Sequence, residues 1–374
     1  MSTKQTNVRA HSLADICSDK TGTLTQGRMV AKKAWIPARG TYSVTASSEP
    51  FNPTVGSLSF DTRTPKNFSG VPNDEPKLSS SEELLEDNPY LNHFLTIASL
   101  ANLSTVYQGQ NQVWHARGDP TEIAIHVFAS RFGRNRATLT SGDQPSWKAV
   151  AEFPFDSDTK KMSVIFEDTE SHDMHIFTKG AVERVLSSCS TIYLGLSDQP
   201  SPLTDEIQDD ILANMESLAA EGLRVLALAT STCPDHLNAH KDIDRVQVET
   251  DLTFCGLIGL YDPPRPESAD SVRQCRQAGI EVHMLTGDHP GTARAIAAEV
   301  GILPQNMREL PKDVADAMVM TAGDFDRLSD DQIDELPTLP LVVARCAPST
   351  KVRMIEALHR RKKFVAMVSF PGYS

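Results

Sequence analysis

The sequence runs to 374 residues, 40% of them hydrophobic and 23% charged, an ordinary globular balance long enough for two domains with separate cores. A formal charge of -13 argues against non-specific nucleic-acid binding, since a phosphate-tracking surface needs an excess of Lys and Arg. The 6 scattered cysteines contain no CxxC pair and suit reduced thiols rather than a disulfide frame or a zinc site, and no apolar run approaches the ~20 residues of a membrane-spanning helix. The N-terminus lacks the apolar core of a secretory signal, so the expectation is a cytoplasmic chain without a membrane segment.

In chain order, Leu13–Ser18 reads as a short buried strand ending at Asp19. Residues 41–89 are rich in Ser, Pro, Asn and Asp and read as loop or insertion. A helix follows around Leu91–Leu103, with Leu91, Phe94, Leu95 and Ala98 on one face. "DPTEIAIHVFASRFG" reads as a second helix, with Pro120 in its first turn and Gly133 past its end. "WKAVAEFPF", "KMSVIFE" and "MHIFTKG" are β-rich runs between polar turns, which predicts an antiparallel meander. Leu203–Glu221 has helical spacing closed by Gly222, and "LRVLALAT" is the strand after it.

Beyond Asp251 strands and helices alternate. "LTFCGLIGL", "IEVHMLTGD", "LVVARC" and "KFVAMVSF" read as strands, separated by the helical "ESADSVRQCRQAG", "GTARAIAAEVG" and "STKVRMIEALHRR". That rhythm implies βαβ units and a parallel sheet, an α/β fold. In such sheets chemistry gathers at the carboxyl ends of the strands. Asp19, "TGD" and "APSTK" all fall there, which places the first strand with the later βα units and makes the middle of the chain an inserted domain. The expected division is 13–36 with 251–374 for the first domain and 37–250 for the second, with 41–89 loop-rich.

An ionised aspartate needs no base to attack a phosphoryl group; it needs charge neutralisation and alignment. Asp19 with a Mg2+ ion, Lys351 at a helix start and Arg345 on the same edge form such a set. Thr286, Gly287 and Asp288 make a strand-to-helix turn suited to phosphate oxygens. Taken singly, "DKTGT" is a polar turn, "TGD" a common one and Lys351 a solvated helix residue. Their joint occurrence at three strand ends is the argument.

"DKTGTLT" (Asp19–Thr25) resembles the phosphorylation signature of P-type ATPases, and "GDPTE", "FPFDSDTKKMS", "FTKGA", "LRVLA", "DPPR", "MLTGDHPGTA" and "VVARCAPSTK" follow in the family's order. The stretches between them look most like the fungal sodium (potassium) efflux pumps. The resemblance spans roughly Asp15 to Met367. It implies a haloacid-dehalogenase-like phosphorylation domain with an inserted α+β nucleotide-binding domain, an antiparallel sheet plus helices. It also implies an aspartyl-phosphate formed on Asp19 from ATP, with Lys20 in the signature and Mg2+ held by Asp19 and Thr21. Thr286, Gly287, Asp288, Arg345 and Lys351 match phosphate-side positions, and Asp262 lies in the "DPPR" hinge. In the inserted domain it places Phe155 on adenine, with Glu122, Lys160, Lys179 and Arg224 around the nucleotide.

The chain departs from the family after "KKFVAM", where a TGDGxND-type segment supplies a further Mg2+-ligating Asp; here "VSFPGYS" follows. The expectation is a metal site short of that ligand, impaired phosphoryl transfer and no ion transport by this chain, whose full-length relatives would sit in the plasma membrane. Two other readings stay open: a nucleotide-binding remnant without catalysis, and a free-standing dehalogenase-type phosphohydrolase. Such phosphatases carry an acid/base Asp two residues after the nucleophile, where this chain has Thr21.

Overall fold

A computed structural model describes residues 15–45, 49–67, 77–86, 88–141, 144–194, 199–233, 244–304, 307 and 310–369. The expected residues at the two extremes, Leu13 and the "PGYS" end, lie outside them. The chain divides into two compact units. One comprises the described residues of Met1–Gly27, Ala220–Gly222 and Asp262–Ser374; the other comprises Arg28–Ala219 and Leu223–Tyr261.

The first unit is built on a five-stranded parallel sheet in the order Val319–Thr321, Val342–Ala344, Glu281–Leu285, Asp15–Asp19, Val365–Val368. Helices Ser268–Gln277, Pro290–Glu299 and Pro348–Arg360 carry the connections. Proline begins the last two, where its missing N–H costs no helical bond. Cys17, Leu285, Phe325, Ile333, Val343, Met354 and Leu358 pack into one core on this sheet.

The second unit carries an antiparallel sheet, with Leu252–Tyr261 paired to Arg224–Thr232 on one side and to Val30–Ile36 on the other. Both faces are covered. Helices Pro89–Leu100 and Pro120–Ser130 contribute Phe94, Ile97, Ile125 and Phe128 to one core, and Asp205–Ala220 contributes Ile211, Met215 and Leu218 to the other. The caps are legible in the sequence. Asn88 accepts from the Leu91 N–H, and Asp119 from those of Thr121 and Glu122, each cap contributing about 1 kcal/mol. The meander appears as expected: Trp147–Asp156, Lys161–Asp168 and Met174–Ala181 pair in sequence order.

Within 41–89, read as loop-rich, the described residues also form regular elements: Gly40–Val44, Leu58–Asp61 and Lys77–Leu78 extend the antiparallel sheet, and Ser81–Leu85 is a capped helix turn. These strands are short and end in polar turns, so their composition imitates a loop. Leu252–Tyr261 was expected to open the parallel series, and it pairs antiparallel with Arg224–Thr232 and Val30–Ile36. An apolar run announces burial on two faces but carries no direction. Along the chain the compact units accordingly divide at Gly27/Arg28 and Tyr261/Asp262, with Ala220–Gly222 assigned to the first, where the expected division was 36/37 and 250/251.

Candidate active site

In the parallel-sheet unit, strand Asp15–Asp19 runs between Glu281–Leu285 and Val365–Val368, and Asp19 is its last residue. Thr286 follows the end of the neighbouring strand, and Arg345 follows Val342–Ala344. The shared direction of these strands brings all three to one edge, as the reading of strand ends required.

Asp19 Oδ1 is ion-paired with Lys351 Nζ, from the first turn of helix Pro348–Arg360. Asp19 Oδ2 has no partner among the described residues. Lys20 is only 3% exposed, and its Nζ lies 2.6 Å from Asp288 Oδ2 and 4.0 Å from Asp262 Oδ2. The cluster thus sets the carboxylates of Asp19, Asp262 and Asp288 against the ammonium groups of Lys20 and Lys351, one negative charge in excess.

The turn after Asp19 is held from several sides. Gly22 takes φ 75°, a left-handed value that a side chain would strain, and its N–H donates to Thr25 Oγ1 at 3.2 Å. Thr25 Oγ1 donates to Asp262 Oδ2 at 2.6 Å, and the Gly27 N–H reaches Asp262 Oδ1 at 2.9 Å. Arg265 donates to the carbonyls of Gly22 (2.6 Å) and Thr23 (3.1 Å), and Ser268 Oγ to that of Leu24 (2.7 Å). Reading "DPPR" from the sequence marked Asp262 as a hinge; its tethering of Thr25 and Gly27, and the braces from Arg265 and Ser268, were missed. The signal was present as "LTQG" and "DPPRPES", but nothing local pairs two segments more than two hundred residues apart.

Thr286 Oγ1 accepts from the Asp288 N–H at 3.2 Å, and the Arg345 N–H donates to Asp288 O at 3.0 Å. The adjoining helix starts at Pro290, capped by His289, so the "TGD" turn lies just outside it rather than in its first turn. Gly287 is not demanded by space, since a Cβ there meets only Cys346 O at 3.8 Å. Burial pushes the nearby Cys346 thiol up to about 11, which leaves it protonated and excludes it as a competing nucleophile. Thr21 sits in the turn, half-buried, with extended backbone angles. Asp19, Asp262 and Asp288 offer carboxylate oxygens, the donor type of a hard cation such as Mg2+, each of them facing a lysine ammonium.

The antiparallel-sheet unit gathers the other expected residues at one end of its sheet. Trp147–Asp156 ends there with Phe155, Lys160 lies in the turn that follows, Met174–Ala181 ends there with Lys179, and Arg224 begins its strand. Phe155 is 59% exposed, a large apolar ring left in solvent, and Lys160 and Arg224 are exposed too. Lys179 is different: it is buried, and its Nζ pairs with Glu122 Oε1 at 2.7 Å while Glu122 Oε2 accepts from the Leu103 N–H at 3.1 Å. Burial pulls the Lys179 ammonium below its usual range, and the Glu122 carboxylate opposes that shift.

Two further residues shape this end. Gly180 lets the strands approach, because a Cβ would sit 2.4 Å from Lys160 O. Arg245 donates to Pro154 O (3.2 Å) and Lys161 O (2.6 Å), clamping the backbone on both sides of the Phe155–Lys160 turn, and Glu249 holds it at 3.0 Å. Arg245 carries no motif and was not singled out from the sequence.

Comparison with known proteins agrees with both units. Residues 90–267 match the family model described as P-type ATPase, cytoplasmic domain N, and residues 199–369 match that of haloacid dehalogenase-like hydrolases. The chain belongs with the P-type cation-transporting ATPases. Sodium/potassium exporting P-type ATPase 2 of Saccharomyces cerevisiae is 45% identical over 94% of this chain and 36% of its own length. Its counterpart cta3 of Schizosaccharomyces pombe is 45% identical over 95% of the chain and 33% of its length. The cation-transporting ATPase pma1 of Synechocystis is 33% identical over 94% and 34%. The chain therefore spans about a third of the length of the curated relatives it matches. Among the described residues no helix is long and apolar enough to cross a membrane.

Proposed function

We propose that this chain is the ATP-binding and phosphoryl-accepting portion of a cation-exporting P-type ATPase, with Asp19 as the acceptor. The observation that carries the reading is the pairing of the Asp19 carboxylate with Lys351 at the carboxyl end of a parallel strand, beside the buried Lys20–Asp288 pair. ATP is held on the antiparallel-sheet unit, where exposed Phe155 offers a stacking face and Lys160, Lys179 and Arg224 supply positive charge. Glu122 pairs with Lys179 and opposes the lowering that burial imposes on its ammonium.

On the parallel-sheet unit, Asp19 attacks the γ-phosphorus already ionised. A bond forms from the carboxylate oxygen to phosphorus, the bond to ADP breaks, and its electron pair leaves on the β-phosphate oxygen. Lys351 neutralises the transferring oxygens, with Thr286, Gly287, Asp288 and Arg345 bordering the same edge. Asp19 and Thr21 would hold Mg2+, which supplies charge stabilisation to the phosphoryl group when bound. Thr21 stands where a dehalogenase-type phosphatase would place its acid/base, so the acyl phosphate is hydrolysed slowly. Export of sodium or potassium belongs to the whole protein, and comes to this reading from the names of the fungal relatives.

The test is phosphorylation with γ-labelled ATP and Mg2+, an acid quench and hydroxylamine treatment, beside Asp19→Asn. Hydroxylamine-labile label that disappears in Asp19→Asn is the expected result. Nucleotide binding that weakens in Phe155→Ala, with no label in either protein, would replace this reading by that of a non-catalytic binding module.

A further inference from the structure

At the opposite end of the parallel sheet, where its strands begin, lies a second cluster of ligating groups. Asp15 opens its strand directly beside Glu281 in the register, and His283 lies beside Cys17. Side chains alternate along a strand, so Asp15, Glu281 and His283 share one face. One ligand atom from each lies within 4.8 Å of the others.

His283 is 1% exposed and Asp15 0%. The His283 Nδ1 lies 2.8 Å from Pro340 O, which can only accept, so Nδ1 carries a proton and Nε2 is the nitrogen left to ligate. Nε2 is buried with no hydrogen-bond partner, and so is Asp15 Oδ2. The two are 3.8 Å apart, too far to bond to each other. Two metal–ligand bonds of about 2.0–2.2 Å span that gap at a wide angle. Buried polar atoms are nearly always satisfied, so a facing pair left without partners points to a missing third body. The other Asp15 oxygen is fixed by Lys363 Nζ at 3.3 Å, which orients Oδ2 as an outer-shell partner orients a ligating carboxylate. A cavity of about 350 Å³, lined by Asp15, Glu281, Arg276 and Lys363 among others, opens beside Asp15 and Glu281, with His283 behind its lining.

We propose that Asp15, Glu281 and His283 bind one divalent first-row transition ion of the Zn2+ class, clipping together the starts of the two adjacent strands Asp15–Asp19 and Glu281–Leu285. One imidazole with two carboxylates suits Zn2+, Co2+ or Mn2+ better than Mg2+, which favours oxygen donors and retains its water. The site lies one strand length from Asp19 and has no part in the phosphoryl chemistry. Its occupancy is therefore independent of the function proposed above.

The chain, stripped with chelator and dialysed, is titrated with Co2+ and with Zn2+ against a chromophoric competitor. The same titration follows for Glu281→Gln and His283→Gln, with His172→Gln, an exposed histidine elsewhere, as control. The expected result is one ion per chain with a visible Co2+ spectrum of mixed N/O ligation, displaced by Zn2+ and unaffected by excess Mg2+. Removing a direct ligand costs at least as much as removing an outer-shell partner, about 10–100-fold in affinity, and His172→Gln changes nothing. Glu281 is exposed, so Glu281→Gln keeps the fold even where His283→Gln does not. Uptake that survives in both variants, or no uptake by the unmodified chain, overturns the proposal. Either result would leave Asp15 and His283 as a plain ion pair.

Discussion

Replacing Lys20 by Met removes the ammonium that faces two carboxylates. Lys20 is buried, its Nζ is 2.6 Å from Asp288 and 4.0 Å from Asp262, and Met fills nearly the same volume without the charge. Removing one partner of a buried pair costs about 3–5 kcal/mol. Asp262 keeps its bonds from Thr25 and Gly27, and Asp288 retains some solvent contact, so the low end applies, about 3 kcal/mol at pH 7, or roughly a hundredfold in the unfolding equilibrium. The assay follows from the placement of Trp35, Trp114 and Trp147, all in the antiparallel-sheet unit. Urea unfolding is followed by far-UV circular dichroism and tryptophan fluorescence together, and the component silent in fluorescence reports the parallel-sheet unit. Lys20→Met moves only that component. The double variant Lys20→Met/Asp288→Leu leaves no unpaired charge between these two residues and recovers most of the loss. A single-variant loss below about 1 kcal/mol, or a double variant as unstable as the single one, would refute the claim that Lys20 neutralises this cluster.

Lys351→Met separates stability from chemistry: its pair with Asp19 is partly solvated, so unfolding changes by less than about 1 kcal/mol, while acid-stable label from γ-labelled ATP falls at least tenfold. Arg245→Ala releases the carbonyls of Pro154 and Lys161 and loosens the turn carrying Phe155 and Lys160, which shows as roughly tenfold weaker binding of a fluorescent ATP analogue. His93 gives a pH signature in the antiparallel-sheet unit. Burial, and then the nearby charge of His175, lower its pKa to about 4 from 6.5. The unfolded chain therefore binds a proton below pH 6.5 that the folded chain refuses until about pH 4, so stability falls as pH falls through that window and is flat above it. Between pH 7 and pH 5 the loss from this group is about 2 kcal/mol. Urea midpoints read by tryptophan fluorescence at the two pH values check it: His93→Gln removes this share of the difference, and His126 and His175, also lowered by burial, keep theirs.

Much of the architecture was legible in the sequence, because local physics writes it there. β-rich runs between polar turns marked the meander, helical spacing marked the long helices, and Pro120 marked a helix start. Alternating strands and helices after Asp251 imply a parallel sheet, and a parallel sheet collects its strand ends on one edge, which places Asp19, Thr286 and Arg345 together.

Tertiary structure decided what depends on pairing at long range. The direction of Leu252–Tyr261 is set by its partners, Arg224–Thr232 and Val30–Ile36, and not by its own apolar residues. The strands hidden in 40–78 are too short to show a period. Lys20 reads as one more polar residue of a turn until folding buries it between Asp262 and Asp288. Arg245 and the Asp15–Glu281–His283 cluster carry no motif; each is assembled by segments brought together from far along the chain. A sequence specifies which groups are present and how each segment prefers to fold. Only packing specifies which groups lose their water in each other's company, and that loss is what gives buried charges and unpartnered polar atoms their chemical meaning.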